Sequence, residues 1–161
     1  GKILFSSSRE VYGNSGHIIH SEDESFVKNC ESSYTATKIA GEAMIHAYNQ
    51  CYGIEYVIVR FSNVYGKYDY SDRVVPLFIS KALNNEDIQI YGRGKILDFA
   101  YIEDSVGGVV RILDLFEIAR NELYNIATQT GHSIEQVAMN IIELTGIDLI
   151  TPALIITYPL I

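Results

Sequence analysis

Residues 54–61 read IEYVIVRF, and this run decides the fold. It is nearly continuous and rich in β-branched side chains, the pattern of a strand buried on both faces of a helix-covered sheet. Immediately before it, Ala40, Met44, Ala47, Tyr48 and Cys51 recur at helical spacing across residues 34–52, and Gly53 stands where a C-terminal cap belongs. Earlier still, Lys2-Ile3-Leu4-Phe5 is a short apolar run that stops at Ser6-Ser7-Ser8, as a parallel strand does when it delivers polar groups at its C-terminal end. Residues 13–33 between that strand and the helix, with Gly13, Asn14, Ser15 and Gly16, read as loop.

Downstream, a loop rich in tyrosine and charge leads to a helix over residues 74–83. Two short strands follow at 88–91 and 96–102, around Gly92 and Gly94. Asp104 is placed to cap a helix reaching about Ala119, weakened in its middle by Gly107-Gly108. Residues 123–127 read as a strand, and Ser133 with Gln136 forms a capping box for a last helix closed by Gly146. Strands alternating with helices predict an α/β fold with a mostly parallel sheet. Such sheets take ligands outside the carboxyl ends of their strands, where Ser6–Ser8 and the loop after Phe61 fall.

Composition narrows the class. With 161 residues, the chain has room for one domain but not two full-sized ones, and no linker or repeat divides it. A hydrophobic content of 48% excludes an extended disordered chain. Twenty acidic against twelve basic residues, a net charge of -8, argue against nucleic acid or an anionic membrane as the main partner. Two cysteines, Cys30 and Cys51, are too few for a secreted disulfide scaffold, so a cytoplasmic location is expected and both read as plain thiols. There is no basic-then-apolar leader and no apolar run of membrane-spanning length. The chain opens on Gly1-Lys2-Ile3-Leu4-Phe5, already strand-like, which is how a chain cut from something longer would begin.

Tyr34 and Lys38, four residues apart, share one helix face. A free tyrosine has a pKa of about 10, and bringing it to about 7 takes roughly 4 kcal/mol of preferential stabilisation of the phenolate. A cation about 4 Å away supplies about 1 kcal/mol in water and about 4 kcal/mol at an effective dielectric near 20. The pair can therefore act as a base only in a partly dry cleft, and the same spacing also occurs on plain helix faces. Ser8 ends the strand before this helix, where a hydroxyl would reach both a phenol and a substrate oxygen.

SSSREVYG (6–13), YTATK (34–38), RFSNVYG (60–66), RVVPLFISKAL (73–83), IQIYGRG (88–94) and LDFAYIED (97–104) occur in this order. Together they resemble the NAD-dependent epimerase/dehydratase family of extended short-chain dehydrogenases/reductases, which act on nucleotide sugars. The resemblance covers about residues 2–147. It implies a partial Rossmann-like doubly wound sheet over residues 1–66, followed by a mainly substrate-binding region over 67–161 that keeps some sheet elements.

By the same resemblance, NAD is the cofactor and a nucleotide sugar, a UDP-sugar first, the substrate. Tyr34 would be the acid/base, Lys38 would lower its pKa and hold the nicotinamide ribose, and Ser8 would bond the reacting oxygen. Ser6, Phe61 and Ser62 would lie by the nicotinamide, and Asn63 would contact the diphosphate. Arg73, Val74 and the segment Gln89 to Tyr91 would border the nucleotide. The family's helix carrying Tyr and Lys commonly sits in a dimer bundle, so a homodimer through residues 34–52 is expected.

Dehydratases of the family place an Asp-Glu pair where this chain has Arg9-Glu10. Arginine stays charged and has no proton to give near neutral pH, whereas Glu10 still offers a base. That favours a 4-epimerase working through a 4-keto sugar over a dehydratase or decarboxylase, with a charge pair of no chemical role as the plain alternative. The glycine-rich turn that cradles the cofactor pyrophosphate in the family is not found in these residues, and the C-terminal part reads as cut short in an apolar tail over 149–161. The expectation is a fragment lacking the N-terminal dinucleotide-binding half; a non-catalytic, partner-dependent subunit is the other reading. Leu97 stands where the family usually has an arginine for the diphosphate, leaving Arg73, Arg93 or Lys95 to replace it. His17 and His20 near acids are the metal-site candidate, and no metal is expected. The run Glu22-Asp23-Glu24 reads as a solvated loop.

Overall fold

The computed structural model describes residues 1–14, 20–25, 27–91 and 94–146, with the backbone of Ile156–Tyr158. His17, Arg93 and most of the apolar tail lie outside the described residues. In chain order the elements are β1 (Lys2–Ser8), α1 (Ser33–Tyr52), β2 (Glu55–Phe61), β3 (Asn63–Tyr65), α2 (Val74–Leu83), β4 (Gln89–Tyr91) and β5 (Ile96–Tyr101). Then come α3 (Ile102–Asp114), α4 (Phe116–Ala119), β6 (Glu122–Ile126), β7 (Gly131–Ser133), α5 (Ile134–Thr145) and β8 (Ile156–Tyr158). The chain divides into two compact units, residues 1–64 with 100–129 and residues 65–99 with 130–161.

In the first unit, β1, β2 and β6 form the expected parallel sheet, with β2 in the middle. Its register aligns Ser7 with Arg60 and Asn125, and Ser8 with Phe61 and Ile126. Because side chains alternate along a strand, these two rows face opposite sides of the sheet. One face carries Val57 and Val59 against Phe116 and Ala119, joined by Leu4 and Phe61. The other carries Phe5, whose ring packs on α1 so closely that a Cβ at Gly41 would lie 2.3 Å from Phe5 Cζ. Helix α1 starts where the Ser32 hydroxyl accepts the Thr35 N–H at 3.0 Å. It stops at Gly53, whose φ of 64° lets its N–H reach the Asn49 carbonyl at 2.8 Å.

Two expectations in this unit need correction. The helix assigned to Asp104 begins at Ile102, with Tyr101 in the cap position, so Asp104 is a first-turn acid favoured by the helix dipole rather than the cap. It breaks at Leu115, short of Ala119, and Gly107-Gly108 both remain helical. A Cβ at Gly108 would come within 3.0 Å of Ile126 Cδ1, so glycine there allows close approach to the sheet. The predicted loop over 13–33 also contains 3-10 turns at Glu22–Glu24 and Val27–Asn29.

The second unit is held by an apolar core of Phe78, Ala82, Ile88, Ile90, Ile134 and Ala138, to which α2 and α5 contribute. Strand β5 pairs antiparallel with β7, and β4 pairs parallel with β8. The Ser133 hydroxyl accepts the Gln136 N–H at 3.1 Å and Gly146 closes α5 in the left-handed region, as the sequence predicts. Among the described residues no helix is long and apolar enough to cross a membrane.

Candidate active site

The first unit brings Ser6, Ser8, Tyr34 and Lys38 to the carboxyl end of β1. Lys38 Nζ donates to the Ser6 carbonyl at 2.8 Å and lies 5.4 Å from the centre of the Tyr34 ring. Tyr34 is 49% exposed, so water reaches the phenol, and excluding it falls to whatever covers the site. Ser8 is buried, and its Oγ accepts the Glu10 N–H at 3.2 Å, which caps the turn Arg9–Tyr12 and leaves the hydroxyl its proton and one further lone pair. Phe61 and Ser62 follow at the end of β2, with the Ser62 N–H on the Ile126 carbonyl at 3.0 Å.

Arg9 and Asn63 are joined. Arg9 Nε and Nη2 donate to Asn63 Oδ1 at 3.2 and 3.0 Å, so the guanidinium is held beside the strand end instead of standing as an edge charge paired with Glu10. Glu10 itself is exposed.

The second unit gathers the remaining predicted residues. Val74, Gln89 and Tyr91 line an open cavity of ≈ 280 Å³ together with Asp72, Lys95 and Leu97. Tyr91 Oη donates to Gln89 Oε1 at 3.0 Å on its rim. Arg73 is the residue on which α2 begins. Of the three residues considered as replacements for an arginine at Leu97, Lys95 stands on this wall.

Sequence reasoning missed a buried polar cluster directly behind the strand end. Glu42 receives Arg60 Nε and Nη2 on its two oxygens at 2.9 and 2.6 Å, and also accepts the Ser7 hydroxyl. Arg60 Nη1 donates to Tyr12 Oη at 3.0 Å and to the Glu22 carbonyl at 2.8 Å, while Tyr12 Oη donates to Asn125 Oδ1 at 2.7 Å. Arg60 is 3% exposed and Glu42 7%. Burial works against the Arg60 charge, but the hydrogen bonds it donates to Glu42 and Tyr12 outweigh it and hold its pKa above the ordinary arginine value. Burial likewise pushes the Tyr12 phenol up, partly offset by Arg60, so Tyr12 is a neutral donor.

The signal for this cluster was in plain view: a single arginine inside an apolar strand, and an acid four residues after Lys38. The acidic run at 22–24 is likewise more than a solvated loop. The Glu22 side chain accepts the Asn125 N–H at 3.3 Å, and Glu24 meets His20 at 3.2 Å. His20 stacks on Tyr12 with ring centres 4.7 Å apart. Cys30 and Cys51 are free thiols.

Fold and site together define a Rossmann-like α/β protein with a Tyr-x-x-x-Lys helix beside the carboxyl end of its parallel sheet. The model of the NAD dependent epimerase/dehydratase family matches residues 1–127, and the chain belongs to that family. It is 35% identical over 144 residues to a mouse protein described as dTDP-D-glucose 4,6-dehydratase, covering 89% of this chain and 39% of that protein. It is 37% identical over 140 residues to a Methanocaldococcus jannaschii putative UDP-glucose 4-epimerase, covering 84% of this chain and 44% of that one. The UDP-glucuronic acid 4-epimerase of Bacillus cereus, solved in complex with NAD, superposes with a TM-score of 0.86 at 28% identity, covering 98% of this chain and 50% of that one. The chain thus spans between two fifths and half the length of these relatives.

Proposed function

We propose that the chain carries the acid–base and nucleotide-sugar-binding part of an NAD-dependent epimerase, with UDP-sugar 4-epimerisation through a 4-keto sugar as its reaction. The observation that carries this is the Lys38 ammonium, fixed on the Ser6 carbonyl and set beside the Tyr34 ring at the end of a strand that closes in Ser8. Tyr34 takes the proton from the sugar 4-hydroxyl as that carbon is oxidised. The Ser8 hydroxyl, which accepts the Glu10 N–H on one lone pair, keeps its proton to donate to the reacting oxygen. Lys38 keeps two N–H donors beyond the one on Ser6, enough to hold a ribose hydroxyl and stabilise the phenolate. NAD, when bound, supplies the hydride acceptor and donor. Tyr34 and Lys38 suit its nicotinamide ribose, with Ser6, Phe61 and Ser62 beside the ring. Asn63 would meet the sugar diphosphate, and Arg73, Val74, Gln89 and Tyr91 the nucleotide base. Once the 4-keto sugar has turned over, return of the hydride that bound NAD would supply to the other face of C4, with the proton returned from Tyr34 to the oxygen, gives the 4-epimer.

A dehydratase or decarboxylase reading draws support from the 35% identity to the mouse dehydratase and from Glu10, an exposed carboxylate two residues past Ser8. Arg9 counts against the dehydratase, because a guanidinium anchored on Asn63 has no proton for a leaving hydroxyl. A homodimer through α1, whose Met44, Tyr48 and Tyr52 are exposed, belongs to the proposal, and light scattering measures it.

The test is to assay the full-length polypeptide of this reading frame with UDP-glucose and dTDP-glucose, following products by NMR. UDP-galactose formation that falls about 10³-fold in Tyr34→Phe supports the epimerase. A dehydrated 4-keto-6-deoxy product from dTDP-glucose establishes the dehydratase instead. UDP binding with no turnover of either sugar leaves the partner-dependent subunit.

A further inference from the structure

The buried Glu42–Arg60 pair invites the question of what it is for. An ion pair this deep is weak support for stability, because withdrawing both charges from water costs about as much as their attraction returns. Its geometry is the more informative feature. Ser7, Arg60 and Asn125 form one row across β1, β2 and β6, so the cluster ties together three neighbouring strand ends. Glu42 lies one helical turn after Lys38, which lies one turn after Tyr34, so all three point from one stripe of α1.

Helix α1 therefore grips β1 at two consecutive residues. Lys38 holds the Ser6 carbonyl, and Glu42 holds the Ser7 hydroxyl while Arg60 locks the carboxylate from the far side. A single contact would leave the helix free to slide or roll about it, and two contacts about 6 Å apart along the axis remove both motions. The next residue along the strand is Ser8, and the next turn back along the helix is Tyr34. We propose that Glu42 and Arg60, acting through Ser7, are positioning residues that set Tyr34 and Lys38 in register with Ser8. The idea rests on the acid–base reading above, in which about 1 Å of misplacement costs about 10²-fold in rate.

The test pairs a measurement on this chain with one on the full-length polypeptide. On the chain, Ser7→Ala removes one hydroxyl and leaves the Glu42–Arg60 pair bonded, so the fold survives. Amide hydrogen exchange is then expected to speed at least about tenfold at Glu10, whose N–H rests on Ser8, and along 34–38, with Ile58 and Val59 unchanged. In the full-length polypeptide, Ser7→Ala is expected to lower kcat about tenfold and Glu42→Gln about 10–100-fold, each with KM within about twofold. Uniform acceleration of exchange across the first unit, or kcat within about twofold of the parent in both variants, overturns the inference. Local acceleration in a protein whose turnover ignores Tyr34→Phe upholds the anchor and overturns the acid–base reading instead.

Discussion

The two units hold their interiors in place by opposite means. Behind the strand ends of the first unit lies a row of hydroxyl, carboxylate, guanidinium and phenol joined by hydrogen bonds. Behind the cavity of the second unit the described buried residues are apolar, with Ile88 and Ile90 fully buried in a cluster with Phe78 and Ala138. Apolar contacts are non-directional and tolerate small shifts, which suits a cavity that must only accept a flat or flexible group. Directional bonds fix angle as well as distance, which suits the strand end on which the proposed acid–base reading depends.

Breaking each wall tests the contrast. Glu42→Ala strands a buried guanidinium and is expected to cost about 3–5 kcal/mol in denaturant unfolding. Ile90→Ala opens a cavity and is expected to cost about 2–5 kcal/mol, with no effect on the exchange of residues 6–10. If both variants loosen the same amides, the two units do not differ as argued.

A smaller effect is expected at the cavity rim. Lys95 is exposed there, on a wall whose other charges are Lys81 and Asp72, so Lys95→Ala should weaken UDP binding several-fold, about 1 kcal/mol by calorimetry. An unchanged affinity removes Lys95 from the diphosphate site.

The smallest effect is a titration. Burial raises the Tyr12 phenol above its ordinary pKa of 10.0, so the folded state keeps a proton that the unfolded state releases first. The stabilisation is thus complete below about pH 10 and is lost as pH rises through the folded-state value. Tyr56, also raised by burial, contributes with the same sign. Unfolding midpoints measured from pH 8 to 11.5 should fall at the alkaline end, and less so in Tyr12→Phe. A fall of equal size in both would assign the loss elsewhere.

Much of this was legible in the chain itself. Local rules placed α2 at residues 74–83, α1 to within one residue, and the caps at Gly53, Ser133 and Gly146, because capping and periodicity involve neighbours in sequence. The same rules misjudged Asp104, which lies in the first turn and not at the cap, and gave no reason for Gly108, which lets α3 approach Ile126 on a distant strand. They also gave no sign of β3 or β7, three-residue strands too short to show a period. Tyr34 and Lys38 could be paired from spacing, since a helix turn fixes which of its own residues share a face, and Ser8 from its place at a strand end.

What only the tertiary structure decided is the surroundings of those residues. Ser7 meets Glu42, 35 residues away, and Tyr12 meets Asn125, 113 residues away, because parallel register lays Ser7, Arg60 and Asn125 side by side. Register is a long-range choice, set by which strands pair and where they start, and no local window of sequence contains it. The sequence by itself determined a parallel α/β chain carrying a tyrosine and a lysine on one helix. Packing that helix against the sheet decided that the lysine grips Ser6 and the glutamate one turn later grips Ser7, which is the difference between a motif and a placed group.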